Sequence, residues 1–347
     1  MNTTYLNAFH HAEGGNMVDF AGWEMPINYG SQINEHNLVR QEVGVFDVSH
    51  MAVFDLKGDN QISFLEKLLP NNINKIKSLK KALYSPLLNY KGGILDDLIV
   101  YHLGDSNFRL VSNCATREQN KKWFNEIASE FNVEVDFKSD YSIIALQGPS
   151  SKAILDKLIQ TNIKNFEVYT DSNLMIAGTG YTGEKGFEII SDKTKGEEIW
   201  HEIINHGVKP IGLAARDTLR LEAGLNLYGS DMTEENHPYD SNLSWTVDLK
   251  SKDRDFIGRD ALQKKTDSPN ILCGFYTNER GVLRSGAKIS YEGGSGTITS
   301  GTWSPTFKKN IGLCRIDRNH PNEGRAFLRD KEINLFFCET NFLKYLK

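Results

Sequence analysis

Short runs of apolar and β-branched residues, separated by glycine, recur along the chain and predict strands. The run from Ile94 to Val100 is unusual because two acidic residues, Asp96 and Asp97, interrupt it. An ionised carboxylate is costly to bury without donors, so each acid must accept hydrogen bonds or face a cleft. Side chains alternate along a strand, and we therefore expect the two acids to point to opposite faces. This arrangement predicts one acid acting alone instead of a pair that shares a proton.

A second interpretation of the same stretch is purely structural. Asp96 and Asp97 then lie beyond a fraying strand end and accept backbone N–H groups from the turn at Gly92 and Gly93. The stretch by itself leaves both interpretations open.

Apolar residues at helical spacing predict several amphipathic helices. They are expected over residues 59–69, 116–131, 148–158, 195–206 and 212–228. In the last of these, Arg216 and Arg220 are four residues apart and share one face. They either pair with Asp217 or Glu222 on the same helix, or clamp the carboxylate of a ligand.

The C-terminal part of the chain has a different pattern. From Cys273 onward the segments are short, strand-like and separated by glycines, which predicts a small all-β domain. The charged run from Lys250 to Asp255 is the expected linker that precedes it.

Three motifs imitate functional signatures but fail on their context. Residues 178–183 fit Gly-x-Gly-x-x-Gly, yet a strand-like run follows where a dinucleotide site needs a helix, which predicts a hairpin. His201 and His206 are five residues apart, so they diverge around a helix and are not expected to bind zinc. Asp47 and His50 flank a serine that lacks the tight turn of a catalytic nucleophile, and both are predicted to be structural.

Composition narrows the class of protein further. The 347 residues predict two or three domains, and the net charge of −5 argues against a nucleic-acid-binding surface. No stretch approaches the roughly 20 apolar residues that span a bilayer, and the N-terminal residues show no signal-peptide pattern. The four cysteines form no Cys-x-x-Cys pair, so we expect no metal site and a reduced, cytoplasmic location.

Several separated stretches, in this order, share features with one family. They are residues 17–26 (MVDFAGWEMP), 44–51 (GVFDVSHM), 92–97 (GGILDD), 180–188 (GYTGEKGFE), 212–217 (GLAARD) and 299–306 (TSGTWSPT). Together they resemble the aminomethyltransferases, or T proteins, of the glycine cleavage system, over essentially the whole chain. Each stretch alone is a weak signal, and their order and joint presence make the resemblance specific.

The resemblance implies an α+β fold, a three-domain cloverleaf around a central folate channel with a C-terminal all-β, barrel-like domain. The expected division is a discontinuous first folate-binding domain (residues 1–54 and 138–250), a second α+β domain (residues 55–137) and a C-terminal β domain (residues 251–347).

The resemblance also implies a reaction. The methylene of an aminomethyl group, carried on the lipoyl arm of an H protein, passes to the co-substrate tetrahydrofolate. The expected products are 5,10-methylenetetrahydrofolate, ammonia and dihydrolipoyl H protein. The lipoylated H protein is then the partner, and the enzyme alone is expected to be a monomer.

The same resemblance assigns roles to individual residues. Asp97 matches the catalytic acid, Glu188 the residue that recognises the pterin ring, and Arg216 a substrate-binding arginine. The remaining residues expected to bind folate or substrate are Met51, Tyr84, Asn113, Tyr181 and, near the folate tail, Phe342. An apolar and aromatic wall suits a flat pterin ring.

Two other functions are open on the same fold, because a fold does not fix chemistry. One is a paralogous tetrahydrofolate-dependent demethylase that takes a methyl group from sulfur or nitrogen. The other is a non-catalytic folate-binding protein, although such proteins carry a Lys-Gly-Cys-type motif that this chain lacks.

Overall fold

The computed structural model describes residues 1–77, 79–172, 174–329 and 331–346. Its α-helices are α1 (Asn7–Ala12), α2 (Gln32–Gln41), α3 (Gln61–Leu68), α4 (Arg117–Ala128), α5 (Ser151–Leu158), α6 (Lys193–Asn205), α7 (Leu213–Glu222), α8 (Arg259–Gln263) and α9 (Phe342–Tyr345). Short 3-10 helices lie at Ile73–Lys75, Ser129–Phe131, Pro238–Asp240 and Ser244–Thr246. None of the described helices is long and apolar enough to cross a membrane.

Helices are interspersed among the strands of the first two thirds of the chain, whereas the last six described strands follow one another without a helix between them. They are β1 (Asn2–Thr3), β2 (Asn16–Phe20), β3 (Trp23–Asn28), β4 (Gly44–Asp47), β5 (Ala52–Lys57), β6 (Ala82–Leu88), β7 (Ile94–Gly104), β8 (Asn107–Ser112), β9 (Glu134–Phe137) and β10 (Tyr141–Gln147). The remainder are β11 (Val168–Asp171), β12 (Leu174–Ala177), β13 (Gly186–Asp192), β14 (Lys209–Pro210), β15 (Asn270–Thr277), β16 (Lys288–Tyr291), β17 (Gly294–Ser304), β18 (Lys309–Asp317), β19 (Glu323–Leu328) and β20 (Lys331–Cys338).

The described strands assemble into three open sheets and one closed barrel. A small N-terminal sheet has the order β1-β3-β2, a five-stranded sheet the order β6-β7-β8-β5-β9, and a six-stranded sheet the order β11-β12-β13-β10-β4-β14. The barrel closes as β15-β18-β17-β16-β19-β20, so the predicted barrel-like C-terminal region is confirmed.

The five- and six-stranded sheets meet edge to edge. The Ala82 N–H donates to the Phe166 carbonyl at 2.8 Å, and the Val168 N–H donates to the Lys80 carbonyl at 2.9 Å. These bonds link the edge strand β6 to the segment that leads into β11. One edge of each sheet is thereby covered by the other sheet.

Each sheet has a hydrophobic core of its own. The five-stranded sheet packs Phe54 and Leu110 against Phe124 of α4, all of them buried. The six-stranded sheet packs Ile144 and Ile189 against Trp200 of α6. A further cluster contains Phe46 of β4 and Val53 of β5, so hydrophobic burial also holds the two sheets together. The proposed domain division stays a prediction, and β5 crosses its boundary between residues 54 and 55.

Helix α7 is shorter than predicted. The pattern suggested a helix over residues 212–228, but α7 ends at Glu222. Gly224 adopts a φ of +71°, and a Cβ there would meet the Thr340 carbonyl oxygen at 2.5 Å. A left-handed glycine just past the last turn is a common helix stop, and the sequence signal was present. The chain beyond it, residues 225–228, is therefore free to line the cleft.

Buried ionic contacts join α7 to the barrel. Arg220 donates to Asp231 at 2.6 Å and to the Ser300 hydroxyl at 2.9 Å, and its side chain is 2% exposed. It also donates to Asp217 at 2.9 Å, near the surface. The pairing with Asp217 that the sequence suggested for Arg220 is thus present. The bond to Ser300 is the one that holds the barrel strand β17 against the helix.

Candidate active site

A cavity of about 300 Å³ opens where the two larger sheets and the segment after α7 meet. Seven of the predicted site residues line it: Met51, Tyr84, Asp97, Asn113, Tyr181, Glu188 and Arg216. They come from positions scattered between residues 51 and 216, so only the tertiary fold brings them together. The rest of the wall is largely apolar, as a binding pocket for a flat ligand requires.

Asp96 and Asp97 leave strand β7 on opposite sides, as alternation predicts. Asp96 is fully buried behind the strand, whereas Asp97 lines the cavity. The amide nitrogen of Asn113 nevertheless reaches both, donating to Asp96 Oδ1 at 2.6 Å and to Asp97 Oδ1 at 2.9 Å. The turn at Gly92 and Gly93 is closed by Asn89, not by these acids.

Neutral donors surround the Asp96 carboxylate. Thr116 donates to its Oδ2 at 2.6 Å, Asn120 to the same oxygen at 2.5 Å, and Asn113 to Oδ1. Burial raises the pKa of Asp96 above its ordinary value, and these hydrogen bonds oppose that rise. None of the described ion pairs includes Asp96, so its negative charge, when present, is met by hydrogen bonds and not by a cation.

Asp97 is the titratable group best placed to exchange protons in the cavity. The Tyr84 hydroxyl donates to its Oδ2 at 3.0 Å. Burial and, after it, the adjacent charge of Asp96 together raise the pKa of Asp97 to about 7. A carboxyl group with a pKa near neutrality can both accept and release a proton at physiological pH.

Glu188, on strand β13, lines the same cavity as Asp97. Thr179 donates to its Oε2 at 2.5 Å and the buried Tyr101 hydroxyl donates to the same atom at 3.0 Å. Both hydrogen bonds end on Oε2 of Glu188. Its Oε1 accepts no hydrogen bond from the described residues and is available to a ligand. The residues that hold Glu188 were not predicted: Tyr101 is distant in sequence on another sheet, and Thr179 lies in the glycine-rich turn that was interpreted only as a hairpin.

Arg216 occupies the cavity wall without an acidic partner among the described ion pairs. Its guanidinium carbon lies 4.5 Å from the centre of the Tyr181 ring, and the Tyr181 hydroxyl donates to the Asn226 carbonyl. Burial lowers the pKa of Arg216. The nearby negative groups therefore replace only part of the hydration that its charged form loses. A cation held in this way suits an electron-rich or anionic ligand.

Several cavity residues were not predicted from the sequence. Trp245 is 60% exposed and stacks on Tyr84 with ring centroids 5.8 Å apart. Tyr228 and Asn226 line the cavity from the segment that the sequence suggested was helical. Gly224 was the available signal, because a helix stop there places the next residues in a loop.

Phe342, predicted to lie near a folate tail, does not line the cavity. Its side chain is fully buried in a cluster with Leu221, Leu272 and Leu313, between α7, α9 and the barrel. An apolar ring without a polar group gains more from this core than from a wet pocket edge. The prediction for Phe342 is therefore corrected to a packing role.

The motifs rejected on sequence grounds have structural contacts instead. Asp47 accepts a hydrogen bond from buried His10 at 2.9 Å, and the Ser49 hydroxyl bonds to the backbone of Ile143. Strands β12 and β13, on either side of the glycine-rich motif at residues 178–183, pair antiparallel as a hairpin. Among the described residues, no group of three or more His, Cys, Asp or Glu side chains is arranged to hold a metal ion.

Comparison with known proteins adds independent information. Residues 6–251 match the GCVT N-terminal domain, and residues 271–342 match the glycine cleavage T-protein C-terminal barrel domain. The fold is thus that of a family of enzymes. The chain belongs to the glycine cleavage T-protein family.

Individual relatives agree over nearly their full length. The aminomethyltransferases of Stenotrophomonas maltophilia (strain K279a) and Xylella fastidiosa (strain M23) are each 48% identical, over 98% of this chain and 96% of theirs. The crystal structure of the glycine cleavage system aminomethyltransferase T from Bartonella henselae superposes with a TM-score of 0.93, at 30% identity and 98% coverage of both chains.

These matches establish the activity as that of an aminomethyltransferase of the glycine cleavage system. The demethylase and the non-catalytic folate-binding protein are not favoured. The predicted α+β architecture is confirmed as well. Enzymes of this family use tetrahydrofolate, and membership of the system implies a partner H protein.

Proposed function

We propose that the cavity binds tetrahydrofolate with its pterin ring against Glu188. A pterin presents amino and amide N–H groups on one edge, and the free Oε1 of Glu188 is an acceptor for them. Tyr181, Met51 and the other apolar residues provide faces for the flat ring. These features support a folate site, and the fixed orientation of Glu188 reduces the entropy lost on binding.

Asp97 is the proposed catalytic residue. Its position on the cavity wall and its pKa near 7 are the observation that carries this assignment. The reaction removes one proton from each of two folate nitrogens and supplies one to the departing amine and one to the lipoyl sulfur. A carboxylate that accepts the first proton and releases it to the leaving group serves this transfer without an additional acid. Tyr84 and Asn113 fix its orientation through their hydrogen bonds.

The donor is proposed to be the aminomethylated lipoyl arm of an H protein. The arm must reach the cavity while folate occupies it, and the exposed Trp245 marks one solvent-accessible side of the wall. The unpaired Arg216 is proposed to bind substrate within the same cavity. The enzyme alone is proposed to be a monomer in the cytoplasm.

The experiment is formation of 5,10-methylenetetrahydrofolate from aminomethylated H protein, with folate binding measured in parallel. Asp97→Asn keeps the shape and removes the titratable proton, so we expect a loss of about 100-fold or more in kcat with folate still bound. Asp105→Asn, an exposed acid just after the same strand, is the matched control and keeps wild-type activity. Full activity in Asp97→Asn contradicts the assignment, and tight folate binding without turnover in the wild type indicates another donor.

A further inference from the structure

A second cavity, of about 510 Å³, lies on the barrel side of the molecule. Cys273 and His320 line it, and Asn242 and Thr340 contribute to the walls of both this cavity and the folate cavity. Neither Cys273 nor His320 takes part in the proposed aminomethyl transfer. The second cavity thus contains a thiol and an imidazole that have no role in the proposed reaction.

The contacts of His320 define its hydrogen-bonding roles. Its Nδ1 lies 2.7 Å from the Pro321 carbonyl oxygen, which can only accept, so Nδ1 carries the proton in the neutral ring. The other nitrogen, Nε2, is then an acceptor and lies 3.7 Å from Cys273 Sγ. The ring packs edge-on against Phe337 with centroids 5.2 Å apart, which fixes its orientation. A nucleophile, a base and a group that orients the base are the parts of an activated thiol.

A second thiol lies directly across the sheet. Cys273 on β15 and Cys314 on β18 are partners in the antiparallel register, so their side chains lie on the same face, inside the barrel core. Directly opposed residues of an antiparallel pair have Cα separations within the range of a disulfide. Cys338 pairs with Gly274 instead, and its side chain belongs to the opposite face of the sheet.

The pKa values of the cysteines also favour Cys273 as the reactive thiol. Burial raises the pKa of Cys338 to about 12 and raises the pKa of Cys114 above its ordinary value. The pKa of Cys273 is lowered, first by the hydrogen bond from Cys314. The backbone carbonyls of Gly274 and Cys338, at 3.3 and 3.2 Å from Cys273 Sγ, accept from the neutral thiol and compete with His320 for its proton.

We propose that Cys273 is a modification site, a thiol activated by His320 that a small hydroperoxide oxidises and that Cys314 then resolves as a disulfide. His320 Nε2 takes the thiol proton, and the sulfur attacks the peroxide oxygen. The O–O bond breaks, an alcohol or water leaves with the proton, and a sulfenic acid remains. The Cys314 thiol then attacks that sulfur, a second water leaves, and the new S–S bond joins β15 to β18.

The test uses the reduced, full-length wild-type protein and a limiting amount of hydrogen peroxide, followed by alkylation of the remaining thiols and peptide mass spectrometry. The expected result is a Cys273–Cys314 cross-linked peptide two hydrogens lighter, with Cys114 and Cys338 still alkylated. In Cys314→Ser, dimedone is expected to trap the sulfenic acid on Cys273. A disulfide to Cys338, or oxidation of Cys114 before Cys273, overturns the proposal.

A kinetic measurement isolates the role of His320. Alkylation of Cys273 by iodoacetamide at neutral pH is expected to slow roughly tenfold or more in His320→Gln. His201→Gln, a change at an exposed histidine of α6, is the control and leaves that rate unchanged. An equal rate in His320→Gln and wild type overturns the activation. So does a wild-type Cys273 that reacts no faster than Cys338. This outcome is independent of the folate proposal, because it needs no substrate.

Discussion

Asp96 and Asp97 point to opposite sides of strand β7 and are joined through one amide group, that of Asn113. The amide nitrogen lies 2.6 Å from Asp96 Oδ1 and 2.9 Å from Asp97 Oδ1. The buried acid is therefore held at a fixed distance behind the acid in the cavity. Its charge raises the pKa of Asp97, which makes Asp96 an electrostatic support for the proposed catalytic residue.

The first prediction concerns this support. Asp96→Asn removes the negative charge and is expected to lower the pKa of Asp97 below about 7. If ionised Asp97 is the active form, kcat/KM rises with pH through this pKa, so the rise moves to lower pH in the variant. The measurement is kcat/KM against pH for the wild type, Asp96→Asn and the exposed control Asp105→Asn. A rise at the same pH in all three proteins contradicts the coupling.

The second prediction concerns the contact between Glu188 and the N–H edge of the pterin ring. Glu188→Gln keeps the size of the side chain but replaces the charged acceptor with an amide, and it places an N–H group beside Tyr101 or the pterin. We expect the Kd for tetrahydrofolate to rise about tenfold or more, since hydrogen bonds to charged groups contribute roughly 1.5–3 kcal/mol. Titration calorimetry checks the Kd. Glu184→Gln, on the same hairpin but outside the cavity wall, is the matched control. Unchanged affinity in Glu188→Gln rules out the proposed pterin contact.

The third prediction concerns the joint between α7 and the barrel. Asp231→Asn removes the buried one of the two charged partners of Arg220 and is expected to cost about 3–5 kcal/mol of unfolding free energy. Asp217→Asn removes the partly exposed partner of the same arginine and is expected to cost about 1 kcal/mol or less. Urea unfolding of both variants measures the difference. Equal costs would mean that burial does not set the strength of this ion pair.

The fourth prediction follows from Glu222, the last residue of α7. Burial alone would raise the pKa of Glu222, but hydrogen bonding and charge from His36 and the charge of Arg40 overcome it and lower the pKa to about 2. The unfolded chain then takes up this proton first, so the stabilisation is complete above pH 4.5 and is lost as pH falls towards 2. Such a shift corresponds to a contribution on the order of 3 kcal/mol.

Glu222→Gln tests this pH dependence. The variant is expected to be less stable than the wild type at pH 7, and the difference is expected to shrink as pH falls from 4.5 towards 2. Glu184→Gln, which faces the same Arg40 from a partly exposed position, is the control and shows a smaller difference at pH 7. Urea unfolding across the pH range is the measurement. A difference that grows on acidification contradicts the assignment.

The fifth prediction concerns the helix stop that shapes the cavity. Gly224→Ala and Gly207→Ala both place a side chain at a left-handed φ, of +71° and +84°, which costs roughly 1–2 kcal/mol. Only at Gly224 does the added Cβ meet backbone, the Thr340 carbonyl oxygen at 2.5 Å, whereas nothing lies within 4 Å at Gly207. We expect Gly224→Ala to be the less stable variant by at least about 1 kcal/mol and to raise KM. Equal stabilities of the two variants would mean that the backbone at Thr340 shifts to accept the added Cβ without a cost in free energy.

Local sequence pattern determined the parts of this protein that depend on neighbouring residues. Alternation along β7 places Asp96 and Asp97 on opposite faces, and the β-branched residues after the glycine-rich motif form a hairpin. The glycine-spaced strands of the C-terminal part close into the barrel. These features follow from backbone periodicity and turn chemistry, which act over a few residues. The helix predicted over residues 212–228 was too long because the prediction did not treat Gly224 as a helix stop.

The resemblance to a family named seven of the cavity residues, but only the tertiary structure decided which side chains contact one another there and which become core. Asn113, which follows β8, reaches both acids of the neighbouring strand β7. Tyr101 holds Glu188 from another sheet, and Trp245 stacks on Tyr84 from a 3-10 helix that is distant in sequence. Phe342 packs into the core between α7 and the barrel instead of lining the cavity. Contacts of this kind form only when separate sheets pack against each other. The free energy of that packing depends on both surfaces together. No stretch of sequence contains that information by itself.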